Sequence, residues 1–342
     1  MQLEDVAEPD PGQDEVKIKV KWCGFCGSDI HEYESGPLFV PTKKPHPLTG
    51  KMAPITGGHE FSGQIVKVGG GITNFNVGDR VTVRNTIPCY KCYYCKQAKY
   101  IQCVVLGTIG EAADGAFAEY IVVPADCVYK LPDSVSWEMG SFTEPVACCV
   151  HAMNRSGMNV GDNIAVIGAG TIGLLTMQVL KAVGAGKVIV FELHPKRAKL
   201  AAELGATAVI NPAEVDAGKA IGQLTEGRRA DIVFECAGPC QSLLLAETVA
   251  GRGATIVEVG QMVGSCNFPF PSLWMREKTI VTSQGYLNNE FPQAISLLAA
   301  GKINTDPMIS AKIKLADIME KGLKELVGER RLDYCKILVT PE

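Results

Sequence analysis

The 342-residue chain has no basic excess: 33 Lys and Arg stand against 37 Asp and Glu, a net charge of −4. Without surplus cations to neutralise a phosphate backbone, nucleic acid is not an expected partner. A long apolar run is missing too. The longest uncharged stretch, Asn163 to Leu180, barely reaches spanning length, is closed by Lys181, and carries GAGTIG in its middle, which reads as a strand turning into a helix. No membrane span is expected. The opening residues MQLEDVAEPDPG lack the basic and apolar character of a secretory or transit peptide, so a cytoplasmic location is expected. Neither an internal repeat nor a low-complexity segment is present. Cysteine, by contrast, is plentiful. Thirteen in a chain without a signal peptide argue for retained thiols used in metal binding or catalysis, and an odd number cannot all pair internally.

At 46% apolar residues the chain can bury a sizeable core, and its length suggests two domains. Texture divides it. Up to about residue 140 short β-like runs (VKIKVKW, GQIVKVG, DRVTVR, AEYIVV) are bounded by turn residues, as in an irregular, mostly β domain. From about 160 to 285 the strands NIAVIG, KVIVFE, TAVIN, ADIVFECAG, ATIVEVG and TIVTSQG alternate with helical spacing, as in TIGLLTMQVLKAVGA and PKRAKLAAELGA. That alternation predicts an α/β parallel sheet covered on both faces. The tail holds a helix around FPQAISLLAAGK and a final strand, CKILVT.

After NIAVIG, residues Gly168, Ala169, Gly170, Thr171, Ile172 and Gly173 match G-x-G-x-x-G. Such glycines permit a tight turn and close approach of backbone to a pyrophosphate at a helix N-terminus. Glu192 ends the next strand nineteen residues beyond Gly173, where an acid binding ribose hydroxyls belongs. A carboxylate about 4 Å from a phosphate charge costs on the order of 4 kcal/mol at an effective dielectric near 20. The nearby Lys196 and Arg197, as exposed flexible charges, would return about 1 kcal/mol or less. NAD rather than NADP is expected, with Arg197 near the phosphates.

Cys89, Cys92, Cys95 and Cys103 form C-x2-C-x2-C-x7-C within a lobe at about 89–103, a set able to close a tetrahedral shell about one Zn²⁺. An iron–sulfur cluster competes, but its run ends with a three-residue gap and a proline, whereas Cys103 follows a gap of seven and precedes Val104. A closed shell of this kind is structural. A second, scattered set comprises Cys26 in CGFCGSDIH, His59 and Glu60 in GGHEF, and Glu144 in FTEPV. A thiolate, an imidazole and a carboxylate would make a three-ligand zinc site with one open position. Taken singly, each residue also fits a packed thiol, a core histidine or a helix-start carboxylate, and spacing alone does not join them.

CGFCGSDIH, GGHEFSG, the four-cysteine lobe, TEP and GAGTIG occur in the order found in the zinc-dependent medium-chain alcohol dehydrogenases, which the sequence resembles over essentially its whole length. TEP resembles the sorbitol, threonine and butanediol dehydrogenase branch. KVKWCGFCGSDIHEYESGPLFVP with KPHPLTG looks closest to the 2,3-butanediol (acetoin) dehydrogenases. The resemblance implies a GroES-like mostly-β catalytic domain (1–143, completed by a return segment 286–342) and a Rossmann doubly wound parallel-sheet nucleotide-binding domain (144–285). It implies two Zn²⁺ per chain, the catalytic one held by Cys26, His59 and Glu144, with Glu60 as an exchanging ligand and Asp29 orienting the histidine. Ser28 and His31 would relay the alcohol's proton to solvent through the cofactor ribose, while hydride passes to NAD in the interdomain cleft. A small alcohol or hydroxyketone substrate and a homodimer or homotetramer follow from the same resemblance. Three alternatives stand beside it: a sorbitol or xylitol dehydrogenase of the same chemistry, a zinc-free reductase, and a non-enzymatic zinc-ribbon protein. One departure is the start, since relatives usually carry a further first strand ahead of the EDVAEPDPG segment. That strand is expected to be shortened or supplied differently.

Overall fold

A computed structural model describes residues 1–262 and 264–342. The chain forms two compact units, one of residues 1–144, 287–299 and 309–342, the other of 145–286 and 300–308.

In chain order, the first unit opens with β1 (Glu15–Gly24), α1 (Gly27–Ser35), β2 (Glu60–Val68), β3 (Arg80–Val83), β4 (Thr86–Ile87) and α2 (Tyr93–Lys96). It continues with β5 (Gly107–Thr108), β6 (Tyr120–Pro124), β7 (Val128–Lys130), α3 (Trp137–Ser141) and the start of α4 (Thr143–Ser156). The second unit holds β8 (Ile164–Ile167), α5 (Thr171–Ala182), β9 (Val188–Phe191), α6 (Pro195–Glu203), β10 (Ala208–Ile210), α7 (Ala217–Leu224) and β11 (Ala230–Glu235). There follow α8 (Cys240–Val249), β12 (Ala250–Glu258), α9 (Phe270–Met275) and β13 (Thr279–Thr282). The chain then returns to the first unit with α10 (Glu290–Ala299), β14 (Ile309–Lys314) and β15 (Lys336–Thr340).

The first unit is a mostly antiparallel sheet in the order β14-β15-β1-β2-β3-β7, with β6 also on β1. In β1 the alternating Val16, Ile18 and Val20 are wholly buried and pack with Phe61, Ile65, Val81 and Ile121, the period-2 pattern of a sheet with one face on a core. The last strand closes the unit: β15 pairs with β1 at Cys23 and Gly24, and β14 runs parallel beside it. The sequence reading found β15 and missed β14, because ISAKIK carries lysines that stay in solvent.

The second unit is the expected six-stranded parallel sheet, in the order β10-β9-β8-β11-β12-β13. Its central strands β8 and β9 are buried at every position, as a sheet covered on both faces requires. The order reverses between β8 and β11, so the crevice beyond their carboxyl ends is the place where a ligand of such a sheet binds.

One expectation fails here. Cysteine usage argued for retained thiols throughout, yet Cys240 and Cys266 form a disulfide. Composition speaks to the compartment, whereas bonding depends on approach, and these Cα atoms are 5.2 Å apart, inside the range a disulfide spans. The other eleven cysteines are not disulfide-bonded. Among the described residues no helix is long and apolar enough to cross a membrane.

Candidate active site and metal centres

Cys26 is the extended residue that precedes α1, and the Asp29 carboxylate accepts its backbone N–H at 2.8 Å, fixing the start of the helix. Glu60 opens β2, and His59 immediately precedes it. The preceding Gly58 has φ +89°, and a Cβ there would lie 2.8 Å from both Cys23 Sγ and Phe117 Cγ. Only glycine lets the chain turn in at this point and deliver His59 inward. The ligand atoms of Cys26, His59 and Glu60 all lie within 4.8 Å of one another. Two distant segments therefore converge.

The site is buried and rich in carboxylates, with Asp29, Glu60 and Glu144 all buried. His59 is 3% and Glu60 2% exposed. Burial is the largest influence on His59 and opposes its charged form, but the Cys26 thiolate, its hydrogen bond, Asp29 and Glu144 together hold the imidazole well above its usual value. Burial raises Asp29 to about 6, against the His59 charge and the Cys26 N–H. Burial and then Glu60 push the Cys26 thiol up, with His59 acting the other way. Glu144, near the start of α4, is buried and acts on His59 through its charge, but it is not part of the close trio.

A cation answers one of these carboxylates, and sequence reasoning missed it. Lys336 of β15, 3% exposed, donates its ammonium to Glu60 Oε2 and, at 2.8 Å, to the Phe25 carbonyl. Gly24 makes room for the pair, because a Cβ there would sit 2.8 Å from Glu60 Oε2. The available signal was a lone lysine within the otherwise apolar run CKILVT.

The residues fit a zinc ion. Thiol, imidazole and carboxylate form a borderline-soft donor set of the kind zinc prefers. His59 Nδ1 and Ser28 Oγ are buried with no hydrogen-bond partner, and such orphaned atoms call for a missing group. Ser28 and His31 are both half-buried on α1, three residues apart and so on one face of the helix.

The four-cysteine lobe is assembled as its spacing predicts. The sulfurs of Cys89, Cys92, Cys95 and Cys103 all lie within 4.8 Å of one another. Cys89 and Cys95 are 3.9 Å apart, close to the edge of about 3.8 Å for a tetrahedron with Zn–S near 2.3 Å. Backbone N–H groups already point at sulfur: Cys89 N to Cys103 Sγ, Cys92 N to Cys89 Sγ and Cys95 N to Cys92 Sγ, at 3.3 to 3.5 Å. Donors from Val104 and Cys95 pull the Cys92 thiol down to about 6, whereas burial pushes Cys95 up to about 12. Arg84, wholly buried, ties the lobe to the sheet through the Tyr90 hydroxyl, Thr86 and Asp126.

In the second unit GAGTIG links β8 to α5. Gly168 has φ +89°, and a Cβ at Gly173 would lie 1.8 Å from the Gly168 carbonyl oxygen, so this turn closes only on glycine. Glu192 stands at the carboxyl end of β9, where its Oε2 accepts Ala169 N at 2.6 Å and Oε1 accepts His194 N at 2.7 Å. The predicted ribose-binding acid is thus attached to the glycine loop. Arg197 approaches the same loop: a Cβ at Gly170 would be 3.7 Å from its Nη1. Thr171 and Ile172 are the half-buried first residues of α5.

Residues 12–133 match the family described as alcohol dehydrogenase GroES-like domain, and residues 171–300 the family described as zinc-binding dehydrogenase. The (R,R)-butanediol dehydrogenase of Bacillus subtilis (strain 168) is 39% identical, with 100% of this chain and 96% of that protein covered. The sorbitol dehydrogenase of Halalkalibacterium halodurans is 35% identical, covering 99% and 95%. Among solved structures, the 2R,3R-butanediol dehydrogenase from Bacillus subtilis superposes with a TM-score of 0.92 at 38% identity, covering 100% of this chain and 96% of that one. A zinc-binding dehydrogenase from Sinorhizobium meliloti 1021 bound to NADP superposes at 0.88 and 32% identity, covering 98% and 94%.

Proposed function

Since the chain belongs to the zinc-binding alcohol dehydrogenases with a GroES-like domain, we propose that it moves a hydride between a secondary alcohol, most favourably a vicinal diol of the 2,3-butanediol type, and NAD. The observation that carries this reading is the convergence of Cys26, His59 and Glu60 within 4.8 Å, with an unpartnered, buried Ser28 hydroxyl two residues from Cys26. Similarity to butanediol dehydrogenase over the whole chain supports the diol. The sorbitol dehydrogenase relative keeps a polyol as the second reading.

Cys26, His59 and a carboxylate, Glu144 or Glu60, would hold the catalytic zinc, and the four-cysteine lobe a structural one. Zinc supplies a Lewis acid that makes the substrate hydroxyl easier to deprotonate. The chain's own residues do the rest. Asp29 fixes the start of α1 through the Cys26 N–H, and so the direction in which Ser28 points. Ser28 Oγ accepts the departing proton by hydrogen bond. His31, on the same helix face and reached by solvent, exchanges it with bulk water. In the second unit the glycine turn brings the N-terminus of α5 to the place where a pyrophosphate would sit. Glu192 meets the ribose hydroxyls, and its charge repels a 2′-phosphate, which favours NAD.

A homodimer built on the second unit accompanies this reading. Strand β13 ends the parallel sheet, and α9 beside it exposes Phe270, Trp274 and Met275 by 71%, 79% and 63%. An edge strand followed in space by exposed apolar side chains suits pairing with a second copy, and Trp274→Asp is expected to yield monomers in sedimentation.

The test is NADH oxidation with acetoin, diacetyl, fructose and xylulose, with metal content measured on the same sample. Acetoin or diacetyl reduction with two zinc ions per chain is expected. Preference for fructose or xylulose selects the polyol reading, and protein that neither binds nor oxidises NADH overturns both. Comparing butanediol with 2-butanol isolates the second oxygen, and equal efficiency would remove its role.

A further inference from the structure

The disulfide lies at the edge of the nucleotide crevice. Three turns stack there. A Cβ at Gly168, in the glycine loop after β8, would meet Ala237 Cβ at 3.0 Å. Gly238, in the turn after β11, has φ +95°, and a Cβ there would lie 2.7 Å from the carbonyl oxygen of Gln261, after β12. The wholly buried Glu235 bonds both of the later turns. Its Oε1 accepts Ala237 N at 2.8 Å and Gly238 N at 2.9 Å, and its carbonyl accepts Gly260 N at 2.9 Å. The three turns are thus joined by close backbone approaches and by the Glu235 hydrogen bonds.

Cys240 is the first residue of α8, two residues beyond Gly238, and Cys266 lies in the segment leading from β12 to α9. The described residues of that segment, 259–262 and 264–269, form neither helix nor strand. The bond thus ties an irregular segment to a helix whose N-terminus borders the crevice. Both cysteines are only half-buried, within reach of a small thiol. As the opening residue of a ten-residue helix, Cys240 sits where the helix field favours a thiolate.

We propose that Cys240–Cys266 is a reversible redox modification site that sets dinucleotide affinity. Closed, it holds the third turn against the second and the crevice is preorganised; open, the segment relaxes and binding has to order it again. Closure is a two-electron exchange with a low-molecular-weight disulfide of the glutathione class. One protein thiolate attacks the small disulfide and releases a thiol. The second protein thiolate then displaces the other. The protein loses two electrons and two protons, and two small thiols form. Linkage makes the effect reciprocal: bound NADH must favour the closed form by the factor through which closure favours NADH.

The inference rests on the dinucleotide reading above, and its test separates the two. Zinc-replete full-length protein is equilibrated in glutathione buffers of varied ratio. Free thiols are alkylated, and the peptides holding Cys240 and Cys266 are weighed, with metal content measured in each sample so that loss of zinc thiolates is not mistaken for the switch. NADH binding is then titrated by fluorescence. Reduction is expected to weaken NADH binding about tenfold, and saturating NADH to shift the half-reduction ratio by the same factor. Cys266→Ser, and independently Cys240→Ser, should bind NADH like the reduced protein and ignore the buffer. Equal affinity in both states, variants that bind like the oxidised protein, or failure of the bond to form at any ratio overturns the inference alone. Absence of NADH binding in either state overturns the dinucleotide reading with it.

Discussion

Replacing Lys336 by Met would leave the Glu60 carboxylate 2% exposed with its ammonium partner gone, and remove the donor to the Phe25 carbonyl. Breaking a buried ion pair from one side costs about 3–5 kcal/mol, mostly the penalty of the stranded charge. Removing both charges in Glu60→Met/Lys336→Met strands no charge, only the Phe25 carbonyl, and should cost about 1–2 kcal/mol. The double variant is thus expected to be more stable than the single by about 2–3 kcal/mol. Urea unfolding at one fixed zinc concentration reads this directly, followed by tryptophan fluorescence, because Trp22 and Trp137 both belong to the first unit. The slope must stay constant for the midpoints to be compared as free energies. A cost for Lys336→Met below about 1 kcal/mol, or a double variant no more stable than the single, would refute the reasoning.

Cys26→Ser should abolish turnover while NADH titration stays near the wild-type curve, since the glycine turn and Glu192 lie in the second unit. Cys92→Ser should lower metal content by one ion per chain and open the lobe to trypsin at Lys91, Lys96 and Lys99 before kcat changes. Gly173→Ala puts a methyl 1.8 Å from a carbonyl oxygen and should weaken NADH binding by at least about 1–3 kcal/mol, measured by fluorescence. Glu192→Gln removes the charge and keeps an acceptor for only one of the Ala169 and His194 N–H groups, and should shift the kcat/KM ratio toward NADP by about tenfold or more; an unchanged ratio would end the electrostatic account of cofactor choice.

What was legible in the sequence follows from how local each signal is. The six parallel strands announce themselves because strands buried on both faces are continuous apolar runs. The four-cysteine lobe is equally plain, its donors being packed into fifteen residues, Cys89 to Cys103. The scattered set was different. Nothing in the spacing of Cys26 and His59 says that β1, α1 and β2 bring them together, and resemblance, not periodicity, joined them. Lys336 and the Cys240–Cys266 bond were invisible for a related reason. The pairing of Lys336 with Glu60 spans 276 residues, and a disulfide depends on the approach of two turns that sequence alone does not bring side by side. The short β14 was hidden by lysines on its solvent face.

The sharpest remaining question at the site is which carboxylate completes the metal's ligands, and the ion pair bears on it. Glu60 is near Cys26 and His59, but one of its oxygens is engaged by Lys336, and a carboxylate whose charge is already answered by an ammonium gains less from binding a cation. Glu144 lies outside the trio, yet its charge supports a positive His59, as an acid facing the same cavity would. A zinc ion held by Cys26 and His59 would add positive charge there, and Glu144 would gain more from binding it than the already paired Glu60. Glu144→Gln should therefore speed zinc loss to a chelator by more than tenfold, on the scale of removing a group that tunes a metal site. Glu60→Gln should have the smaller effect on retention, its cost appearing in stability through the stranded Lys336. Zinc release followed with a chromogenic chelator in both variants decides it, and faster loss from Glu60→Gln than from Glu144→Gln would reverse the assignment.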